Sequence, residues 1–310
     1  MELRIVAIMA LAPTLTSADR APSERVITGE GLVEVRVNEQ PATLRIDPAA
    51  PAMPLINRSV AESAHLKMKS SWGVGIGYAI GNTSVMSRTQ VVRLDLGNGR
   101  IKRRVGWTSR PFAAVADGSI GPEAFPETII RFQLRDPRVG AKTVSFPMDR
   151  DSTALGIFGN FSATFGQINV GGEPMRVRFD PYHARSLVTA GAGARLARSY
   201  DGAITGQTEP TEIFFGVQRP VRTLILNRPL ELGRLMISSL GIRTTDDGSI
   251  NSIKEVGVPE QHVDPDEIVV TAKGKKRDTR RDTLSLGNDY LARCSSITFD
   301  RGEKVIRLTC

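Results

Sequence analysis

The sequence predicts an all-β protein with short helices, built from one unit used twice. Residues 37–48 (VNEQPATLRIDP) return as residues 170–181 (VGGEPMRVRFDP) at a constant offset of 133, and Val37/Val170, Pro41/Pro174, Arg45/Arg178, Asp47/Asp180 and Pro48/Pro181 coincide. Both copies alternate apolar and polar side chains, which is how a strand lays one face on a core. Gly (29) and Pro (18) are plentiful among 310 residues and aromatics make up only 5%, a balance that favours many short strands and turns over long helices. The 40% hydrophobic content suffices for real cores and excludes a wholly disordered chain. A duplicated strand running into Asp suggests two similar lobes that bring two carboxylates together, the raw material for acid–base chemistry on a water.

The first segment reads as an export signal. Arg4 precedes the apolar stretch Ile5–Ala12, followed by Pro13 and the small residues Thr16-Ser17-Ala18. This is an h-region too short to span a bilayer, ending in an A-x-A-like site. Residues 1–18 are therefore expected to be removed, leaving a periplasmic or secreted protein; a first β-strand is the competing reading. No other stretch approaches the ~20 apolar residues of a membrane-spanning helix, so no integral membrane segment is expected in the mature chain.

The first lobe is expected over 26–150 and the second over 165–310. In each, the repeated strand is followed by an Ala-rich segment, Leu55–Leu66 or Leu187–Ala197, that reads as a short helix. Downstream, Ser119-Ile-Gly-Pro-Glu-Ala-Phe125 is echoed by Ser285-Leu-Gly-Asn-Asp-Tyr-Leu291, and strand pairs follow at Ile129–Leu134 onward and Ser296–Thr309. About 33 extra residues separate these landmarks in the second half and fit a polar surface insertion at about 244–283. Its basic run, Lys273–Arg281, has no aromatic platform beside it, so nucleic acid is not an expected partner despite the net charge of +8. Asp266–Ala272 (DEIVVTA) resembles the short energy-coupling strand of some outer-membrane receptors, beside the simpler reading of an edge strand.

Both cysteines fall in the last hairpin. Two alternating arms run from Cys294 to Cys310 around Asp300-Arg301-Gly302-Glu303. A loop of about three residues with Gly302 at the positive-φ position pairs residues whose numbers sum to 604, so Cys294 faces Cys310. Opposed Cβ atoms ~4.5–5.5 Å apart are close to disulfide reach, and an exported chain with one such pair is expected to form it.

The order of strand, Asp, short helix, Gly-rich hairpin, two long strands, apolar-apolar-Gly turn and strand pair resembles that of the retropepsin and pepsin group of aspartic proteases. Residues 73–81 (GVGIGYAIG) look like that family's flap, a flexible hairpin that closes over substrate. Val91–Leu96 and Ile101–Trp107 look like the strands after it, and Asp117-Gly-Ser-Ile-Gly121 like the turn beneath the active-site loop. The resemblance covers most of the chain. It implies a bilobal pepsin/retropepsin-like acid protease fold with a peptide or protein ligand in the cleft. It makes Asp47 and Asp180 the catalytic pair and places Gly75, Ile76, Gly77 and Tyr78 over substrate. It implies no cofactor, and the chain is expected to act as a monomer.

In the family each lobe supplies Asp-Thr/Ser-Gly, whose hydroxyl locks the two loops together and whose Gly allows close backbone approach. Here Asp47 is followed by Pro48-Ala49-Ala50, and Asp180 by Pro181-Tyr182-His183. Proline has neither N–H nor hydroxyl, and Ala49 and Tyr182 place Cβ atoms where the family has none. Both loops are therefore expected to lose a locking group and the aspartate pKa values to rise. The expected protein is a weak or inactive relative of aspartic endopeptidases, a pseudoenzyme. A non-catalytic cell-envelope binding module using the same cleft stays open, as does a structural β-domain in which Asp-Pro is only turn chemistry. His65, His183 and His262 lack a paired spacing, so no metal site is expected. No serine sits in a nucleophile elbow.

Overall fold

The computed structural model describes residues 23–68, 74–97, 99–112, 115–155, 159–246, 248–257 and 279–310. The expected signal segment, the strand-like residues 266–272, His262, residues 273–278 of the basic run and Gly73 of the flap-like hairpin lie outside the described residues.

Strands dominate, as the composition predicts. The first half runs β1 (Glu24–Thr28), β2 (Leu32–Val37), β3 (Gln40–Ile46), β4 (Leu55–Ile56), helix α1 (Arg58–Ser63), β5 (Gly75–Ile80), β6 (Thr83–Asp95), β7 (Arg100–Trp107), β8 (Gly118–Ile120) and β9 (Ile129–Gln133). The second runs β10 (Thr143–Ala154), β11 (Asn160–Val170), β12 (Glu173–Phe179), β13 (Leu187–Val188), α2 (Ala190–Tyr200), β14 (Gly202–Phe214), β15 (Val217–Leu232), β16 (Leu235–Arg243) and β17 (Lys254–Glu255). It ends with β18 (Thr283–Leu286), α3 (Asn288–Leu291), β19 (Ser296–Asp300) and β20 (Val305–Thr309).

Strands β2, β3, β8, β4, β7 and β6 pair in that order and β6 returns to β2, which closes a six-stranded barrel with β5 on its edge. Strands β11, β12, β18, β13, β16, β15 and β14 repeat the same order. The repetition holds residue by residue. Ile46 pairs in parallel with Ile120, and Phe179 with Leu286. Leu55 opposes Ser119 and pairs with Gly106; Leu187 opposes Ser285 and pairs with Gly241. Gly121 and Gly287, each one residue past such a pair, thus hold equivalent places beside Asp47 and Asp180. The strand alternation explains the packing. Ala42, Leu44 and Ile46 of β3, and Met175, Val177 and Phe179 of β12, point into one continuous core. The intervening Thr43, Arg45, Arg176 and Arg178 stand on the other face.

Three sequence expectations need correction. The Ala-rich segments do not open as helix, because Leu55–Ile56 and Leu187–Val188 each gain strand neighbours on two sides; α1 and α2 begin after them. The last hairpin is shifted by one residue: Ser296 pairs with Thr309 and Asp300 with Val305, so the paired numbers sum to 605. Its loop is the four residues 301–304, with Lys304 at φ 55° in the left-handed position rather than Gly302. Asp300 stabilises the tight turn by accepting from Glu303 N at 2.9 Å. The Cys294–Cys310 disulfide forms nonetheless, because both cysteines lie just outside the paired strands and escape the ladder's register. The third concerns the 244–283 stretch, whose described ends are not all surface: Asp246, Ile253 and Asp282 are buried.

A further set of pairings knits the halves together, with β1, β9, β19, β20 and β10 adjacent in that order and β10 passing into β11. Among the described residues no helix is long and apolar enough to cross a membrane.

Candidate active site

Asp47 and Asp180 each open a hydrogen-bonded turn at the end of a repeated strand. Asp47 N donates to Ile120 O at 3.0 Å and Asp180 N to Leu286 O at 2.8 Å. Ala50 N then returns to Asp47 O, and His183 N to Asp180 O, both at 3.1 Å. Asp followed by Pro is favoured turn chemistry, since Pro presets φ for the second turn position. The prolines therefore shape the loops that they were expected to disturb. In the first loop Ala49 N donates to Asp47 Oδ1 at 2.7 Å and supplies the orienting N–H that Pro48 lacks.

The locking expected to vanish with Thr is provided by other side chains. Arg178 Nη2 donates to Ala49 O at 2.5 Å, from the second aspartate strand to the first aspartate loop. Tyr182 OH makes a longer bond to Ile46 O at 3.4 Å, and the Arg45 guanidinium lies 4.4 Å over the Tyr182 ring. Such a stacked cation contributes about 0.5–2 kcal/mol, depending on its desolvation.

Both aspartates line one cavity of about 290 Å³, together with Arg45, Ser119, Tyr182 and His183. Burial pushes the Asp47 carboxyl up to about 7 and the neighbouring Asp180 charge adds to the rise; the Ala49 N–H, Arg178 and Arg45 oppose it. The expected rise at Asp47 thus has desolvation and like charge as its causes. Burial and the Asp47 charge also hold the Tyr182 hydroxyl well above its ordinary value, which keeps it a donor. Ser119 Oγ is buried and hydrogen-bonds to no described protein group, so its donor is available to an oxygen in the cavity. His183 is used structurally: Nδ1 lies 2.6 Å from Arg185 O and Nε2 2.9 Å from Glu212 O.

A larger cavity of about 430 Å³ shares Asp180 and Ala49 with the first. The β5–β6 hairpin forms one wall and β12 another. Of the four hairpin residues expected over substrate, Gly77 and Tyr78 line this cavity. Ile76 packs instead in an aromatic cluster, and Gly75 is exposed at the strand's start. The hairpin is fastened at its tip. Arg219 donates to Asn82 Oδ1 at 2.6 Å and to Asp246 Oδ1 through Nε at 2.8 Å and Nη2 at 2.5 Å. Asp246 is 0% exposed, and a Cβ on Gly81 would overlap its carboxylate. Only a glycine, here at φ +62°, admits that approach.

Aromatic side chains fill the space beneath. Tyr78 lies 5.0 Å from Phe215, Phe112 4.9 Å from Phe214, and Phe214 4.5 Å edge-on from Phe215, by ring centroids. Phe214 and Phe215 come from the tip of the β14–β15 hairpin, the second half's counterpart of β5–β6. Phe215 is held at φ 54°, a conformation that costs a bulky residue roughly 1–3 kcal/mol and persists where packing over-determines it.

Sequence reasoning missed Arg219, Asp246 and the Phe214–Phe215 pair. The string Ile213-Phe-Phe-Gly216 was the available signal, since adjacent aromatics before a turn glycine are conspicuous in an aromatic-poor chain. Asp246 sits in a polar run and carries no such mark. Compared with known proteins, the sequence matches no family model and no curated relative.

Proposed function

We propose that this chain is an exported aspartic-peptidase-like protein of the bilobal pepsin/retropepsin arrangement, with a cleft for extended peptide and a latent Asp47–Asp180 pair. One observation carries the reading. The two aspartates are equivalent in the duplicated register and line one small cavity, and the Asp180 charge adds to the burial that raises the Asp47 pKa. A pair that shares one proton supplies base and acid together: one carboxylate takes a proton from water while the protonated partner donates to the amide carbonyl, and the proton then passes to the leaving amine. The Ala49 N–H and the Arg178 bond to the same loop support a positioned rather than a slack dyad. What keeps activity low in this reading is steric: the fastened hairpin and the aromatic cluster occupy the approach. The disulfide supports export.

The aromatic cluster also favours a second reading, a binding module of the cell envelope that does no chemistry. One experiment separates them. Unfolded casein is incubated at pH 4–6 with wild type, with a Phe214→Gly/Phe215→Gly variant that empties the approach, and with Asp47→Asn and Asp180→Asn in both backgrounds. The expected result is slow cleavage by wild type, at least about tenfold faster cleavage by the opened variant, and none with either Asn substitution, since one carboxylate cannot be acid and base together. Cleavage surviving Asp47→Asn would dismiss the dyad. A folded opened variant that cleaves nothing would leave the binding module.

A further inference from the structure

Strand β8 brings one hydroxyl to the aspartates. Ser119 is flanked in register by Arg45 of β3 and Leu55 of β4, so its backbone is held on both sides. The next residue, Ile120, supplies the carbonyl that accepts from Asp47 N at 3.0 Å. Side chains paired across neighbouring strands share a face. Ser119 therefore stands in one row with Arg45, and both line the small cavity with Asp47 and Asp180.

Ser119 is 1% exposed, so only a group inside the cavity can reach it. Its Oγ meets no acceptor among the described residues, and neither does Arg45 Nε in the same row. A buried donor left unpaired opposes folding, so such a group calls for a partner. The Asp47 carboxylate is not that partner: its Oδ1 accepts from Ala49 N, and the Ser119 hydroxyl is not bonded to it. The second half differs. Ser285, equivalent by register, is only half-buried and lines the larger cavity instead. The hydroxyl thus enters the aspartates' cavity from the Asp47 side alone. Asp47 is the carboxyl that burial and the Asp180 charge raise to about 7, so it holds a proton in mild acid. A carbonyl oxygen accepts two hydrogen bonds, and the protonated carboxyl occupies one of those places.

We propose that Ser119 is a further catalytic residue, whose hydroxyl donates to the carbonyl oxygen of the peptide bond held at Asp47 and Asp180. The inference rests on the peptide-cleft reading and adds a member to its machinery. As the water oxygen bonds to the carbonyl carbon, one water proton passes to Asp180. The carbonyl π pair moves onto the carbonyl oxygen, which takes the Asp47 proton. Ser119 keeps its own proton throughout. Its hydrogen bond strengthens while negative charge develops on that oxygen, so it stabilises the transition state more than the bound peptide.

Two fluorescein-labelled decapeptides of one sequence test this on the full chain carrying Phe214→Gly/Phe215→Gly. In one, a difluoroketone replaces the central peptide bond and hydrates to a tetrahedral diol. In the other, a methylene-amine replaces it and carries no oxygen. Ser119→Ala should weaken binding of the first, read by anisotropy, about tenfold and of the second less than about twofold. With unfolded casein as substrate it should lower kcat about 100-fold and move KM less than about threefold. The Asp47 carboxyl carbon should titrate by NMR as before, because the hydroxyl is not bonded to it in the free protein. Equal effects of Ser119→Ala on both probes, or none on either, overturn the inference while the peptide cleft stands. A displaced Asp47 titration would make Ser119 a positioning residue acting through that carboxyl, which overturns it as well. Binding of neither probe sinks the cleft reading and the inference together.

Discussion

The Arg178 guanidinium donates to Ala49 O at 2.5 Å, so a side chain two residues before one aspartate holds the loop that follows the other. Because Arg178 also lowers the Asp47 pKa through its charge, one residue couples loop geometry to proton affinity. Arg178→Met should destabilise the fold by about 1–3 kcal/mol, the cost of a lost charge-assisted bond. The Asp47 pKa should rise further. Urea denaturation reads the first effect and carboxyl carbon titration by NMR the second; an unchanged Asp47 titration would sever the link between them.

The raised pKa of Asp47 fixes a pH dependence. In the unfolded chain this carboxyl titrates near 3.8, in the folded chain near 7. Its contribution to stability is fully present below about 3.8 and is lost as pH rises to about 7, since the native state binds the extra proton in that window. Asp47→Asn should therefore stabilise the protein above pH 7, by roughly 1–3 kcal/mol once coupling to Asp180 is allowed for, and change little below pH 4. Paired melts at pH 3.5 and 8 measure this. Equal effects at both would show that Asp47 is not desolvated as described. For the same reason any Asp-dependent cleavage should fall away as pH passes 7.

Breaking the hairpin fastening should be costly and local. Asp246→Asn leaves Arg219 buried without its counter-ion, a loss of about 3–5 kcal/mol. Arg219→Met together with Asp246→Leu should cost less than Asp246→Asn alone, because the more buried cation leaves with its partner, and Arg243, which also pairs with Asp246, is the more exposed of the two arginines. Hydrogen exchange on the single and double variants should show β5 amides losing protection while β3 and β12 keep theirs. Uniform loss across all three strands would mean that the contact supports the whole fold and not the hairpin.

Reduction of Cys294–Cys310 should lower stability by about 2–4 kcal/mol, the range for releasing a loop of this length. Denaturation with and without a thiol reductant measures it, and mass spectrometry of protein from its native host should find no free thiol. Two reactive thiols there would argue against export.

The repeated strands were legible because short-range alternation and a constant offset are written in neighbouring residues. That is why Asp47 and Asp180 fall at matching positions in register. The turns after Asp47 and Asp180 were not foreseen, because Pro48 and Pro181 were weighed for the groups they lack and not for the turn they build. The Arg178, Arg219 and Asp246 contacts were out of reach: Arg219 meets Asn82 across 137 positions and Arg178 meets Ala49 across 129, and no local pattern marks either partner. The one-residue error in the last hairpin came from giving the left-handed turn position to Gly302, when Lys304 adopts it in a longer loop.

The strand order β1-β9-β19-β20-β10 has a consequence for how the chain reaches this state. Strand β9 pairs on one side with β1 of the first half but on the other with β19, which is synthesised roughly 170 residues later, and contacts of such long range close slowly. During synthesis the first half therefore waits with the β9 edge bare, and Ile130 and Phe132, buried in the finished protein, stay wet until Ile297 and Phe299 arrive. An unpaired apolar edge of that kind recruits other chains. Refolding yield should accordingly fall with protein concentration well before the folded protein itself shows any tendency to associate.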